Sequence, residues 1–132
     1  MKGPLDHARA LLSKAANDLI AAEATLATGR ALDTVCFHAQ QAVEKSLKAL
    51  LALDDVEYPR RHDLGELVAL VKLRVPEIGT MEDGIISLAP YSVAARYDEA
   101  FAPETAEAQA ALDTAGQVHE IALQVVERRG TS

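Results

Sequence analysis

The sequence predicts an all-α fold, an antiparallel up-and-down helical bundle of four to five helices, on three observations. Alanine makes up about a fifth of the 132 residues and aromatic residues only 4%, a bias toward closely packed helices and away from sheets. Apolar residues recur at spacings of three and four through most of the chain. No segment alternates with period two long enough to make a convincing strand. At 132 residues the chain is one domain, residues 1–132. The pattern divides it into three long helices and two short ones.

The first helix spans about Leu5 to Ala27. Leu5, Ala8, Leu12, Ala15, Leu19, Ala22 and Leu26 form its apolar face, with Lys14, Asp18 and Thr25 on other faces. Gly29 is the expected stop. Asp33 or Thr34 then caps a second helix running to about Leu53. Its apolar arc is Cys36, Ala39, Val43, Leu47, Leu50 and Leu51. His38, Gln41, Lys45 and Lys48 fall on the opposite side at 100° per residue. A charged loop, Asp54 to Arg61, follows. His62 or Asp63 caps a short third helix, with Asp63 and Glu66 spaced as a capping box, and Pro76 is its expected end. Thr80 with Asp83 marks a short fourth helix through Leu88. The backbone state of Tyr91–Asp98 stays open. Pro103 and Glu104 open the last long helix, whose stripe is Ala108, Ala111, Ala115, Val118, Ala122 and Val125.

Charge and cysteine usage exclude several classes. The net charge of −7 argues against a broad nucleic-acid surface, which is usually basic. A single cysteine, Cys36, excludes an internal disulfide framework. No apolar run approaches a membrane span, and the N-terminal stretch lacks a signal peptide's apolar region. The expected location is the cytoplasm.

The chemistry-bearing residues are few. His7, His38, His62 and His119 are scattered without HxxxH or HExxH spacing, so no metal site and no cofactor is expected. His119, at the margin of the last helix's apolar face, reads as a hydrogen-bonded, half-buried histidine, and His7 as a solvated one. Cys36 sits on an apolar face, where a thiol is inert. The chain has no GxSxG elbow, P-loop or GxGxxG motif. There remain the polar stripe His38, Gln41, Lys45 and Lys48, the cluster Arg60-Arg61-His62, and Arg96 beside Tyr97. The stripe also reads as a plain solvated face, and Arg96 as paired with Asp98 or Glu99. An arginine beside a tyrosine can also hold a phosphate while the ring stacks on a base.

Three stretches together resemble the HEPN domain family, the higher eukaryotes and prokaryotes nucleotide-binding domain. Phe37 to Leu51, FHAQQAVEKSLKALL, is similar to the family's second-helix signature FHAQQAxEKxLKAxL. His62-Asp63-Leu64 looks like the HDL that opens the family's next helix. Tyr91 to Tyr97 is similar to a tyrosine-containing stretch that ends ARYP, here with Asp98 in place of the proline. The resemblance covers about Leu5 to Val126.

It implies a bundle of four to five helices, commonly a homodimer, that binds a nucleotide or RNA near the second helix and the ARY stretch. Many members stand beside a minimal nucleotidyltransferase as toxin–antitoxin pairs; others are metal-independent endoribonucleases. The ribonuclease branch carries an Arg followed four to six residues later by His. No Arg here has that spacing: Arg30 precedes His38 by too many residues, Arg60 and Arg61 adjoin His62, and Arg96 is far from His119. The reading is therefore a binding module without catalysis of its own. Its ligand-binding residues are His38, Gln41, Lys45, Lys48, His62, Arg96 and Tyr97, and its partners a second copy and a minimal nucleotidyltransferase. A ribonuclease toxin and a structural dimerisation scaffold are the competing readings.

Overall fold

A computed structural model describes residues 3–58 and 63–131. These form α1 (Pro4–Ala27), α2 (Leu32–Leu53), α3 (Leu64–Val71), α4 (Pro76–Gly79), α5 (Glu82–Ile86), α6 (Tyr91–Tyr97) and α7 (Thr105–Gly130). There is no strand among the described residues. The long helices are the three expected; the short ones number four rather than two.

Helix directions follow from the contacts. His38 and Lys45 of α2 both reach Asp18 of α1, and Tyr58, just past α2, reaches His7 near the start of α1, so the two helices are antiparallel. His119 of α7 meets the Leu12 carbonyl, while Leu26 and Leu112 share a groove at the other end. Residue numbers fall on α7 as they rise on α1, so this pair is antiparallel too. α3 to α6 carry the chain back from the Asp54 end of α2 to its Phe37 end, as the Arg74–Asp54 ion pair and the Arg96–Phe37 contact show. α7 then descends beside α2 and ends with Arg129 on Asp54 at 2.7 Å. The path is up, down, up in four short pieces, and down.

Local chemistry explains most boundaries and corrects others. Gly29, at φ 70°, ends α1 as expected. α2 starts earlier than Asp33 or Thr34 would place it: its cap is Ala31, in the left-handed region at φ 53°. A non-glycine residue held there costs about 1 kcal/mol. The turn is held by Thr28, whose hydroxyl donates to the Thr25 carbonyl and accepts from the Arg30 amide. Asp63 caps α3 by accepting from the Gly65 and Glu66 amides. α3 stops at Val71, and Pro76 opens α4 rather than ending α3, because a proline at the first helical position lacks only an amide that would be unbonded anyway. Thr80 closes α4 instead of starting the next helix, its hydroxyl on the Glu77 carbonyl. Tyr91–Tyr97 is helical.

α2 is the central element. α1 packs on it most extensively, followed by α7 and α6. All six residues of its expected apolar arc are buried, and so are Val35, Ala42, Ala49, Ala52 and Leu53 on other faces. Alanines on all three long helices, among them Ala8, Ala15, Ala22, Ala39, Ala42, Ala108, Ala111, Ala115 and Ala122, let the axes approach closely. On α7, Val126 is buried and Val125 only half-buried, a shift of one residue in the expected stripe. No helix among the described residues is long and apolar enough to cross a membrane.

Candidate functional site

The polar side of α2 does not face open water. Asp18, expected on an outer face of α1, is buried at 9% exposure. Three residues after Ala15 and four before Ala22, it lies within the buried stripe of α1, while Leu19 is only half-buried. Its two carboxylate oxygens divide their work. Oδ1 meets His38 Nδ1 at 2.8 Å, and Oδ2 accepts from Lys45 Nζ at 2.6 Å. The His38 and Lys45 side chains keep 27% and 29% exposure. A carboxylate only accepts hydrogen bonds, so His38 donates from Nδ1 and a neutral ring leaves Nε2 as an acceptor.

One turn along, the Gln41 amide nitrogen donates to Gln40 Oε1 at 2.6 Å. Gln40 is fully buried, and its own amide nitrogen has no partner among the described residues. Such an orphaned donor costs about 1–3 kcal/mol. Glu44, also buried, pairs with Lys48 at 3.6 Å, and the Lys48 ammonium sits over the Tyr58 ring. The Tyr58 hydroxyl shares a hydrogen bond with His7, which is therefore bonded as well as exposed. Lys48 lies ten residues beyond His38, about 15 Å along the helix axis, so it marks the far end of the strip.

α6 flanks the other end. The Arg96 guanidinium lies 5.0 Å from the Phe37 ring centroid and 5.2 Å from that of Tyr97. Phe37 in turn sets its edge against the His38 ring at 5.5 Å. Arg96 Nε donates to the Ser92 carbonyl, and no ion pair with Asp98 or Glu99 forms. Asp98 instead accepts from the Ala100 amide. Among the described residues Arg96 has no carboxylate partner. At the start of α6, the Tyr91 hydroxyl donates to Glu107 at 2.7 Å; burial first, then this bond, hold it well above the ordinary tyrosine range. Cys36 nearby is buried, and burial, with Glu107 and Asp33 adding, pushes its thiol up to about 11. A thiol so raised stays protonated and unreactive.

The structure thus gathers His38, Gln41 and Lys45 on one strip, sets Arg96 and Tyr97 beside its Phe37 end, and places Lys48 at the opposite end. His62 lies outside the described residues, as do Arg60 and Arg61. Sequence reasoning missed Asp18, Phe37, Gln40 and Glu44. Asp18 was detectable: an acid at helical spacing between two core alanines signals a buried, partnered charge. His119 is as expected, nearly buried with Nε2 on the Leu12 carbonyl at 3.1 Å. Among the described residues no three His, Cys, Asp or Glu side chains gather into a metal-holding group. A cleft of about 790 Å³ lies elsewhere, between α1 and α7, lined by Glu23, Leu26, Leu112, Asp113 and Glu120 among others. It holds none of the candidate residues, so the case for α2 rests on hydrogen bonding and charge rather than on depth.

Among curated proteins there is no match. Among solved structures, the chain is similar to TT1696 from Thermus thermophilus, at 26% identity and a TM-score of 0.79, covering 89% of this chain and 97% of that one. The family model of the HEPN domain matches residues 8–126. With nearly its whole length accounted for by that match, and with an all-helical bundle as its fold, the chain belongs to the HEPN domain family.

Proposed function

We propose that this HEPN protein is a cytoplasmic, homodimeric module that binds a nucleotide, or a minimal nucleotidyltransferase partner of a toxin–antitoxin type pair, without catalysis of its own. One observation carries the reading. A buried carboxylate, Asp18, fixes two half-exposed side chains, His38 and Lys45, beside an arginine that lacks a carboxylate partner among the described residues. A merely solvated face has no need of a buried acid to hold its side chains. His38 and Gln41 offer hydrogen bonds to a base or sugar, Lys45 and Lys48 offer ammonium donors held against buried acids, Arg96 offers positive charge, and Tyr97 offers a ring face. His62 completes the set through the family resemblance. Dimerisation is supported by the thin alanine core and by the exposed apolar residues Ile20, Val93 and Tyr97.

Calorimetric titration with ATP, GTP and short RNA tests the ligand. Heat with at least one of them is expected; none from any at high protein concentration removes the nucleotide part. Co-purification with a small nucleotidyltransferase encoded beside it tests the partner. Light scattering tests the dimer, with an expected mass twice the 14.1 kDa of the chain.

A ribonuclease reading also has an observation behind it. Asp18 orients the His38 ring, and His38 and Arg96 both contact the Phe37 ring. An oriented histidine near a phosphate-binding arginine is the pairing that acid–base cleavage needs. Cleavage of a mixed RNA substrate that disappears in Arg96→Ala would favour it over the binding module.

A further inference from the structure

We infer that the strip on α2 recognises the base and sugar of a nucleoside, and that its two lysines are neutralised by buried carboxylates rather than held for phosphates; this rests on the nucleotide reading above. The Lys45 ammonium is 2.6 Å from Asp18 and the Lys48 ammonium 3.6 Å from Glu44. Both acids are buried, so each lysine is held against a carboxylate where water screens the attraction little. Lys48 also lies at the wrong end of the strip, over Tyr58. Of the cations on and beside the strip, Arg96 has no carboxylate partner among the described residues. With Nε committed to the Ser92 carbonyl, it has one guanidinium edge left, enough for a single phosphate.

The hydrogen-bonding polarity points the same way. Asp18 takes the Nδ1 proton of His38, so the neutral ring turns an acceptor, Nε2, outward. The Gln41 amide nitrogen donates to Gln40, leaving its carbonyl oxygen as a second acceptor. Neither Nε2 nor that oxygen has a partner among the described residues. Two acceptors ask for a ligand that donates. Ribose hydroxyls and the exocyclic amino groups of bases donate; an ionised phosphate cannot. Tyr97, at 72% exposure and already packed on Arg96, adds an open ring face on which a base can stack.

The test is calorimetric titration of the full chain at about pH 8, with adenosine, guanosine, ATP, GTP and inorganic pyrophosphate. A nucleoside and its triphosphate are expected to bind within about threefold of each other, with pyrophosphate silent. Asp18→Asn, which frees Lys45, is expected to raise triphosphate affinity at least about tenfold over the nucleoside and to make pyrophosphate binding measurable. Should Asp18→Asn fail to fold, Gln41→Leu at a half-exposed position is expected to weaken nucleoside and triphosphate alike, by about tenfold. Pyrophosphate binding to the unaltered chain, or a triphosphate preference above about tenfold, overturns the inference and leaves the nucleotide reading standing. Unchanged affinities in Gln41→Leu also overturn it. Silence from every compound overturns both.

Discussion

On one side of α2, Cys36, Ala39, Val43, Leu47, Leu50 and Leu51 are buried by packing alone; on the other, His38 and Lys45 meet a single carboxylate from α1. The first side is non-directional. Its burial contributes roughly 25 cal/mol per Å² and tolerates any neighbour of suitable shape. The second side is directional. His38 and Lys45 are two turns apart, and Asp18 serves both only when α1 and α2 stand in one register; a slip of one turn on α1 would lose both bonds. The difference teaches that the apolar arc holds the bundle together, while the polar strip sets how its two longest-packed helices align and which polar side chains are held half-exposed.

The largest expected effect comes from the apolar side. Leu47 is fully buried, and Leu47→Ala should cost about 2–5 kcal/mol in chemical denaturation. On the polar side, Asp18→Ala removes two charge-assisted hydrogen bonds and should cost about 1.5–3 kcal/mol, because its partners can turn to water. An equal or larger loss than at Leu47 would break the comparison.

Cys36 probes the apolar side by titration. Its thiol is raised from 9.0 to about 11, chiefly by burial. The folded state therefore favours the neutral form. That contribution is complete below the unfolded value and is lost as pH rises through the folded one, with a slope of up to about 1.4 kcal/mol per pH unit between them. Relative to Cys36→Ala, the unaltered chain should lose stability between pH 9 and 11 and show no such difference at pH 7.

Gln40 has the opposite sign. Gln40→Met removes an orphaned buried donor while keeping the volume, and should raise stability by about 1 kcal/mol in thermal unfolding. A loss instead would mean that the Gln41–Gln40 hydrogen bond outweighs the orphaned donor, or that the amide has a partner in solution such as an ordered water. The smallest effect is expected at the Lys72–Glu82 pair, in which the lysine is exposed and the glutamate only half-buried. Lys72→Ala should change stability by less than about 0.5 kcal/mol. Set beside Asp18→Ala, it separates the effect of burial from that of charge pairing.

Most of the fold was legible. The helical spacing of α1, α2 and α7 is long and repetitive, so a residue or two of error at an end leaves the element intact. The short helices were harder. Pro76 and Thr80 are ambiguous signals, since a proline can stop one helix or start the next, and a threonine hydroxyl can close a last turn or open a first. Ala31 carries no cap signal at all; its left-handed backbone is imposed by the tight link between α1 and α2. Of the site, the α2 side chains and Arg96 were visible as residue types in a pattern, but their partners were not.

The sequence by itself determined an all-α bundle with α2 as its most amphipathic helix, because periodicity and propensity are local properties read within a few turns. Tertiary structure decided what each polar residue meets. Asp18 and His38 are twenty residues apart, and Phe37 and Arg96 fifty-nine. Only the packing of α1 and α6 onto α2 gave Lys45 its buried acid, whereas Lys48 meets Glu44 one turn back on its own helix, and left Arg96 beside the strip without a carboxylate among the described residues.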